Sequence, residues 1–202
     1  MVSELGLFPL KVVLLPTEQI PLHIFEPRYK ELISRCIETG EEFGLVYADD
    51  EGVRAIGTRA RVAGVLEQFD DGRMNIVVEG GERFRLLELT EGSAFDTGEV
   101  EPVEDEDLDA APGDAERALA LFRRVAELAE AEANEPEPSR RLSYEIAARI
   151  ELPVELKQEL LESRSEPQRL HRLSQALDGI ADLLQKQKQL RDLSSRNGHK
   201  RL

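Results

Sequence analysis

The sequence has few of the residues from which catalytic and metal-binding sites are usually built. It contains one cysteine, Cys36, so no disulfide can form within the chain, which is typical of a reducing cytoplasm. The three histidines, His23, His171 and His199, are too scattered for a zinc motif. Gly80-Gly81 lacks the later glycine and the lysine of a phosphate-binding loop. We therefore expect no cofactor and no metal site.

Long apolar runs are also missing. No run approaches the ~20 residues that span a bilayer. Met1 leads into Glu4 rather than into the basic and apolar segments of a signal peptide. The formal net charge of −15 opposes adhesion to an anionic membrane and general binding of nucleic acid. We expect a cytoplasmic protein that has no membrane contact and for which nucleic acid is an unfavoured partner.

The most informative stretch is Phe8–Tyr29, in which prolines separate short apolar runs. Because proline has no N–H for a central ladder, prolines mark the ends of strands. This pattern predicts one strand at Val12–Leu15 and a second at Leu22–Phe25. Pro27 has the fixed φ of a first helical turn, which predicts a helix that Gly40 ends.

Short strand-like runs separated by turn residues follow as far as Val100. They are Phe43–Tyr47, Arg54–Leu66, Met74–Glu79, Phe84–Leu89 and Phe95–Val100. Between the third and fourth of these runs, Gly80-Gly81 predicts a tight hairpin. About six short strands with frequent turns are typical of a small closed or half-closed β-barrel.

An acidic run from Glu99 to Asp109 then separates two kinds of sequence pattern. Because like charges repel and resist packing, this run predicts a solvated connector. We predict a β domain at residues 1–108, a connector at 109–113 and a helical domain at 114–202.

The helical domain shows apolar spacings of three and four residues throughout. Its predicted helices run from Asp114 to about Ala133, from a cap at Ser139 to Ile150, from Pro153 through Leu161, and from a Ser165–Gln168 capping box to the end. The last has a heptad-like stripe, Leu170, Leu173, Leu177, Ile180 and Leu184. This stripe predicts one face of a helical bundle, and a coiled-coil contact between two copies remains an alternative.

No assembled catalytic site can be read from the sequence. Asp96-Thr97-Gly98 matches the aspartic-protease tripeptide, but no second copy exists and a turn is the simpler interpretation. Ser93 lacks the strand–elbow–helix setting of a nucleophile. Cys36 lies on the apolar face of the first helix, which indicates a buried thiol. A histidine in a strand, His23, favours a structural role.

Several strings together resemble the Lon protease N-terminal domain family. They are Phe8-Pro9-Leu10, Val13–Pro16, Pro21–Tyr29, Gly57-Thr58, Val77–Gly80, Arg83-Phe84-Arg85 and the helical residues Arg141–Glu162 with Arg169, Leu170 and Leu173. The resemblance implies an α+β fold, with a six-stranded PUA-like β pseudobarrel that contains one helix, followed by a helical bundle that ends in a long helix. In the full protease this region precedes ATPase and serine–lysine peptidase modules. Because the sequence ends at Leu202, it resembles a stand-alone bacterial substrate-binding domain protein, for which we expect no enzymatic activity.

The resemblance also implies a role in recognising protein substrates. We therefore predict a protein-binding module whose partners are protein or peptide clients, including unfolded ones, and which can form oligomers through the C-terminal helix. Candidate contact residues lie at the start of the first helix and in the hairpin: Glu26, Arg28, Tyr29, Lys30, Arg83 and Phe84. A purely architectural role for each remains open. Two alternatives for the whole chain are an RNA-binding PUA-like module and a cryptic hydrolase.

Overall fold

The computed structural model describes residues 1–91, 94–106 and 110–198. The chain forms two compact units, of which the first comprises Met1–Glu106 and Ala147–Arg164 and the second Asp107–Ile146 and Ser165–Leu202. Ser93, part of the acidic connector and His199 lie outside the described residues. None of the described helices is long and apolar enough to cross a membrane.

The first unit is built on one twisted sheet. Its strands are β1 (Ser3–Leu10), β2 (Gln19–Ile24), β3 (Phe43–Asp49), β4 (Gly52–Val53), β5 (Ile56–Gln68), β6 (Met74–Thr90) and β7 (Thr97–Pro102). The order along the sheet is β1-β7-β6-β5-β3-β4, and β2 pairs with β6. A parallel pairing of β1 with β3 closes the path into a ring. Together with β2, this ring confirms the predicted pseudobarrel, to which β4 adds a two-residue hairpin strand.

The predicted hairpin at Gly80-Gly81 is wrong, because β6 runs through both glycines as one strand of 17 residues. Its first half pairs with β2 and its second half with β7, while β5 pairs with it from Met74 to Arg85. Gly80 does not form a turn; its missing side chain allows the strand to pack closely against the backbone at Leu15. A Cβ at this position would lie 2.1 Å from the backbone carbonyl oxygen of Leu15.

The strand predicted at Val12–Leu15 is also wrong. The first strand is β1, at Ser3–Leu10, and the apolar run after it is an irregular segment in which Val13, Leu14 and Leu15 are buried. Buried backbone polar groups need partners, and side chains supply them here. The Thr58 hydroxyl donates to the Leu14 carbonyl at 2.6 Å, and Glu18 Oε2 accepts from the Leu15 N–H at 2.9 Å.

The predicted first helix is confirmed as α1 (Pro27–Thr39), with Pro27 in its first turn. It ends at Gly40, whose φ of 74° is the left-handed conformation that glycine favours. Its buried face is Tyr29, Leu32, Ile33 and Cys36, which follow the i, i+3, i+4, i+7 pattern. Ile37, the next residue after this buried face, is 42% exposed.

Two groups of buried residues fill the barrel unit. One joins α1 to the sheet and contains Phe8, Leu14, Ile24, Tyr29, Leu32, Ile33, Cys36, Phe43, Leu45, Ala60, Met74, Ile76 and Val78. The other lies among β1, β3, β6 and β7 and contains Leu5, Leu7, Val46, Phe84 and Val100. Because α1 contributes four side chains to the first group, it is an integral part of the barrel unit.

A helix from the second half of the chain also belongs to the first unit. This helix, α4 (Val154–Glu162), lies within the segment Ala147–Arg164. Its Lys157 ammonium donates to the buried Glu18 carboxylate, and Gln158 Nε2 donates to the Ile56 carbonyl at 3.3 Å. The compact units therefore divide the chain differently from the predicted domains at this segment, because distant side chains hold α4 against the sheet. The boundaries at residues 108 and 114 stay a prediction.

The second unit is helical and ends in a long helix, as predicted. It contains α2 (Pro112–Leu128), most of α3 (Leu142–Ala147) and α5 (Glu166–Gly198), and α2 packs against α5. Of the predicted stripe on α5, Leu170, Leu173 and Leu177 are buried, and Ala181 is the next buried position. Gln168 N–H lies 3.4 Å from the Ser165 hydroxyl oxygen, in keeping with the predicted helix start.

A buried polar cluster joins α3 to α5 inside this second unit. The Glu166 carboxylate accepts the Ser143 N–H at 2.8 Å and its hydroxyl at 2.6 Å, and it pairs with Arg169 at 2.7 Å. The Arg169 guanidinium lies 4.5 Å from the centre of the Tyr144 ring. Burial raises the pKa of the Glu166 carboxyl, and its hydrogen bonds oppose that shift. With every member buried, this cluster fixes the α3–α5 packing.

Candidate functional site

The predicted contact residues around the start of α1 form a polar surface beside an exposed aromatic ring. Phe25 is 58% exposed immediately before the helix. Glu26 is at the N-cap position, yet its side chain makes no capping hydrogen bond and accepts instead from Arg28 Nε at 3.2 Å. Arg28 also lies 3.6 Å from the Asp96 carboxylate. We name Phe25, Glu26, Arg28 and Lys30 the α1-start surface.

Tyr29 lies beneath this surface rather than on it. Its ring is 3% exposed and packs on Phe8, with 3.9 Å between the ring centroids. Burial raises the pKa of the Tyr29 hydroxyl, and the adjacent Arg28 cation opposes the shift. The Arg28 guanidinium is 4.5 Å from the ring centre, which is a cation–π distance. Tyr29 therefore positions Arg28, while Lys30 is tied to the β5–β6 turn by a 2.8 Å bond to the Asp71 carbonyl.

The other two predicted contact residues, Arg83 and Phe84, are buried. Phe84 is fully buried in the second apolar group. Arg83 donates to the carbonyls of Leu161 at 2.7 Å and Ser163 at 2.6 Å, and it pairs with the buried Asp105. In this conformation their burial favours structural roles, and their direct contact with a partner stays a prediction. The structure does not bring them together with the α1-start surface as one exposed site.

A surface that the sequence predictions did not include lies beside the α1-start surface, on the outer face of β2. Pro21, His23 and Phe25 alternate along the chain, and the rings of His23 and Phe25 stack with 5.9 Å between centroids. A groove of about 490 Å³ adjoins them, lined by Pro21, Leu22, His23, Leu66, Glu67 and Asn75. Leu66 is 65% exposed. The alternation of an exposed histidine with apolar neighbours was the sequence signal for this face.

A second groove, of about 590 Å³, lies between α1 and the strands β1 and β7. Leu32, Cys36 and Phe95 contribute apolar atoms to its lining, and Arg35 pairs with Glu41 at its rim. Burial, followed by the nearby Glu41 charge, raises the pKa of the Cys36 thiol to about 11. A thiol with so high a pKa is almost entirely protonated near neutral pH, so it is a poor nucleophile. This groove offers shape and charge rather than covalent chemistry.

The described residues do not assemble a metal site. In residues 1–91, 94–106 and 110–198, no group of three or more His, Cys, Asp or Glu side chains could hold an ion. The Ser143–Glu166 contact resembles a hydroxyl beside a base, but Ser143 is fully buried and Glu166 is paired with Arg169. A substrate needs access to a nucleophile, which this conformation does not give. The accessible features are therefore surfaces and grooves suited to binding.

Comparison with known proteins identifies the family. The model of the ATP-dependent protease La (LON) substrate-binding domain matches residues 4–179. A Lon protease from Paraburkholderia phytofirmans is 28% identical over 201 residues, which are 90% of this chain and 25% of that protein. The chain thus spans about a quarter of the length of such relatives.

Two solved structures resemble the fold. The crystal structure of a Lon N-terminal domain protein from Xanthomonas campestris has a TM-score of 0.67 and 29% identity, and the match covers 85% of this chain and 96% of that one. The N-terminal domain of a Mycobacterium avium complex Lon protease has a TM-score of 0.66 at 16% identity, with 87% and 98% coverage, and this likeness concerns the fold alone. The family match, which extends over both compact units, shows that this chain belongs to the LON substrate-binding domain family.

Proposed function

We propose that this chain is a non-enzymatic protein-binding module that recognises exposed, unfolded segments of protein clients in the cytoplasm. The observation that carries the proposal is the match of residues 4–179 to a substrate-binding domain. The accessible features support it, because an exposed aromatic ring, a polar helix start and a shallow groove adjoin one another on the barrel unit. Exposed apolar groups rimmed by polar ones are typical of protein-binding surfaces.

The α1-start surface supplies a mixed contact. Phe25 offers an apolar ring, while Glu26 and Arg28, which are close to it in the chain, carry charges of opposite sign. Aromatic residues and arginine are the side chains that most often dominate binding energy at protein interfaces. Phe25 and Arg28 are both exposed, so replacing either side chain leaves the buried core intact. This makes the surface accessible to a mutational test.

The experiment is a fluorescence-anisotropy titration of the chain against a labelled, reduced and carboxymethylated protein, with the native form of that protein as a comparison. We expect binding of the unfolded form only. Phe25→Ser and Arg28→Ala should weaken it, whereas Arg35→Ala, a similarly exposed arginine on the same helix, should not. Absence of binding to a panel of unfolded proteins would refute the proposed function.

A further inference from the structure

The outer face of the strands β2, β6 and β5 has an ordered arrangement of side chains. Three cross-strand rows follow from the pairing: His23–Asn75–Glu67, Pro21–Val77–Gly64 and Gln19–Glu79–Arg61. The first and third rows are polar, and the second is apolar. The third row is linked by bonds of 2.8 Å from Gln19 and from Arg61 to the Glu79 carboxylate. An apolar strip therefore runs between two hydrogen-bonded rows.

The first row presents hydrogen-bond acceptors to the solvent. Asn75 Nδ2 donates to Glu67 Oε2 at 3.0 Å, which turns the Asn75 Oδ1 atom towards His23 Nδ1, 2.6 Å away. His23 Nδ1 must therefore carry the hydrogen, because Oδ1 can only accept. In the neutral imidazole, Nε2 is then an acceptor. With the second Glu67 oxygen, the row offers acceptor atoms to a ligand, while His23 Nδ1–H and one N–H of Asn75 are used within it.

The apolar strip has room for a side chain. Gly64 leaves a gap, since a Cβ added there would meet no atom within 4 Å. Leu66 lies where the register of β5 shifts against β6, and 65% of it is exposed beside the groove of about 490 Å³. Val77 is half-buried in the middle of the strip. An apolar ligand side chain can therefore lie between Pro21 and Leu66 with the acceptor row beside it.

The rows also set the register of a ligand. Successive rows lie two residues apart along β2 and β6, and an extended peptide spaces its same-face side chains at the same two-residue interval. A peptide that runs along the strands can therefore place one side chain on the apolar strip and the next on the acceptor row.

We propose that this outer face binds extended peptide segments in which an apolar side chain and a lysine or arginine lie two residues apart, and therefore on the same face of the peptide. The proposal rests on the proposed function and names the client chemistry and the place of contact. The apolar side chain occupies the groove at Leu66, and the cation donates to Glu67 and to His23 Nε2. The formal net charge of −15 attracts basic segments at long range.

The experiment compares two fluorescein-labelled peptides of about twelve residues in which serine occupies every second position. The positions between carry leucine and lysine in turn in one peptide, and leucine and glutamate in turn in the other. The full chain, Leu66→Glu and Leu183→Glu are titrated by anisotropy at moderate salt. The two substitutions add the same charge at leucines of similar exposure, 65% and 62%. We expect the lysine peptide to bind, Leu66→Glu to weaken it about tenfold through loss of the apolar contact, and Leu183→Glu to leave it unchanged.

Non-specific attraction predicts a different result. A new negative charge at either site would then leave the affinity for the basic peptide unchanged or raise it, so Leu66→Glu would not weaken binding. That result, or equal binding of the glutamate peptide, overturns the proposal. A second variant, Glu67→Gln, should weaken the lysine peptide, whereas Glu88→Gln should not. The unfolded protein of the previous experiment is titrated in parallel. If the unfolded protein binds the full chain and all variants equally, the proposed site is wrong while the proposed function stands. If the unfolded protein binds neither the full chain nor any variant, the proposed function fails.

Discussion

Gly80 allows the sharpest test of how the barrel unit is packed. An alanine methyl there would lie 2.1 Å from the Leu15 carbonyl oxygen and 3.0 Å from its carbon. These atoms belong to the backbone of a buried segment that the Thr58 hydroxyl and the Glu18 carboxylate hold in place, so they cannot rotate away. Overpacking of this kind costs about 1–3 kcal/mol. Replacing glycine also restricts the unfolded chain, which offsets roughly 0.4–1 kcal/mol. We expect Gly80→Ala to destabilise the unit by about 1–2 kcal/mol.

Gly64→Ala is the matched control, because Gly64 lies in the neighbouring strand of the same ladder and an added Cβ meets nothing within 4 Å. It should leave stability unchanged or raise it by up to about 1 kcal/mol. Urea unfolding gives the size of each effect, and hydrogen exchange of the β6 amides assigns it, since two compact units need not unfold together. Equal effects of the two alanines would refute the close approach of β6 to Leu15.

Two further predictions concern Arg83 and Cys36. Arg83→Met should lower the free energy of unfolding by roughly 3–5 kcal/mol, because it removes the cation that pairs with the buried Asp105 charge. It should also speed hydrogen exchange in α4, whose Leu161 carbonyl accepts from Arg83. Loss of client binding at unchanged stability would instead make Arg83 a contact residue. The Cys36 thiol, with its pKa raised from 9.0 to about 11, should react slowly with a disulfide reagent at pH 8 until urea unfolds the chain. Because the unfolded state loses this proton first, stability should fall between pH 9 and 11, and more in the native sequence than in Cys36→Ala; identical pH profiles would contradict the burial of the thiol.

Local rules were sufficient where the structure depends on local geometry. The proline at the start of α1 and the glycine after it predict that helix nearly to the residue, because both act through their own φ angles. The long α5 was equally predictable from its apolar spacing. The elements that were predicted wrongly depend on residues that are far away along the chain. Gly80 indicates a turn by local rules, but Leu15, which is distant in sequence, requires a residue without a side chain there.

The candidate site shows the same division. Glu26, Arg28 and Lys30, which were proposed as contacts from their place at a helix start, are at least partly exposed, whereas Arg83 and Phe84, which were proposed from their place in a hairpin, are buried. Successive residues of a strand point to opposite faces, and here both faces are covered. The apolar group of β1, β3, β6 and β7 covers Phe84, and the end of α4 covers Arg83. No local pattern places a helix from residues 154–162 over a strand that ends at residue 90.

The place of α4 in the barrel unit also limits how this protein can be divided. The polypeptide leaves the first unit after Glu106, returns at Ala147 and leaves again after Arg164. A single cut in the acidic connector therefore separates the barrel strands from the helix that neutralises Glu18 and accepts from Arg83. Recombination at that point, in evolution or in the laboratory, would transfer an incomplete barrel. A transferable version needs the returning segment as well, for example as a circular permutant or as two co-expressed fragments.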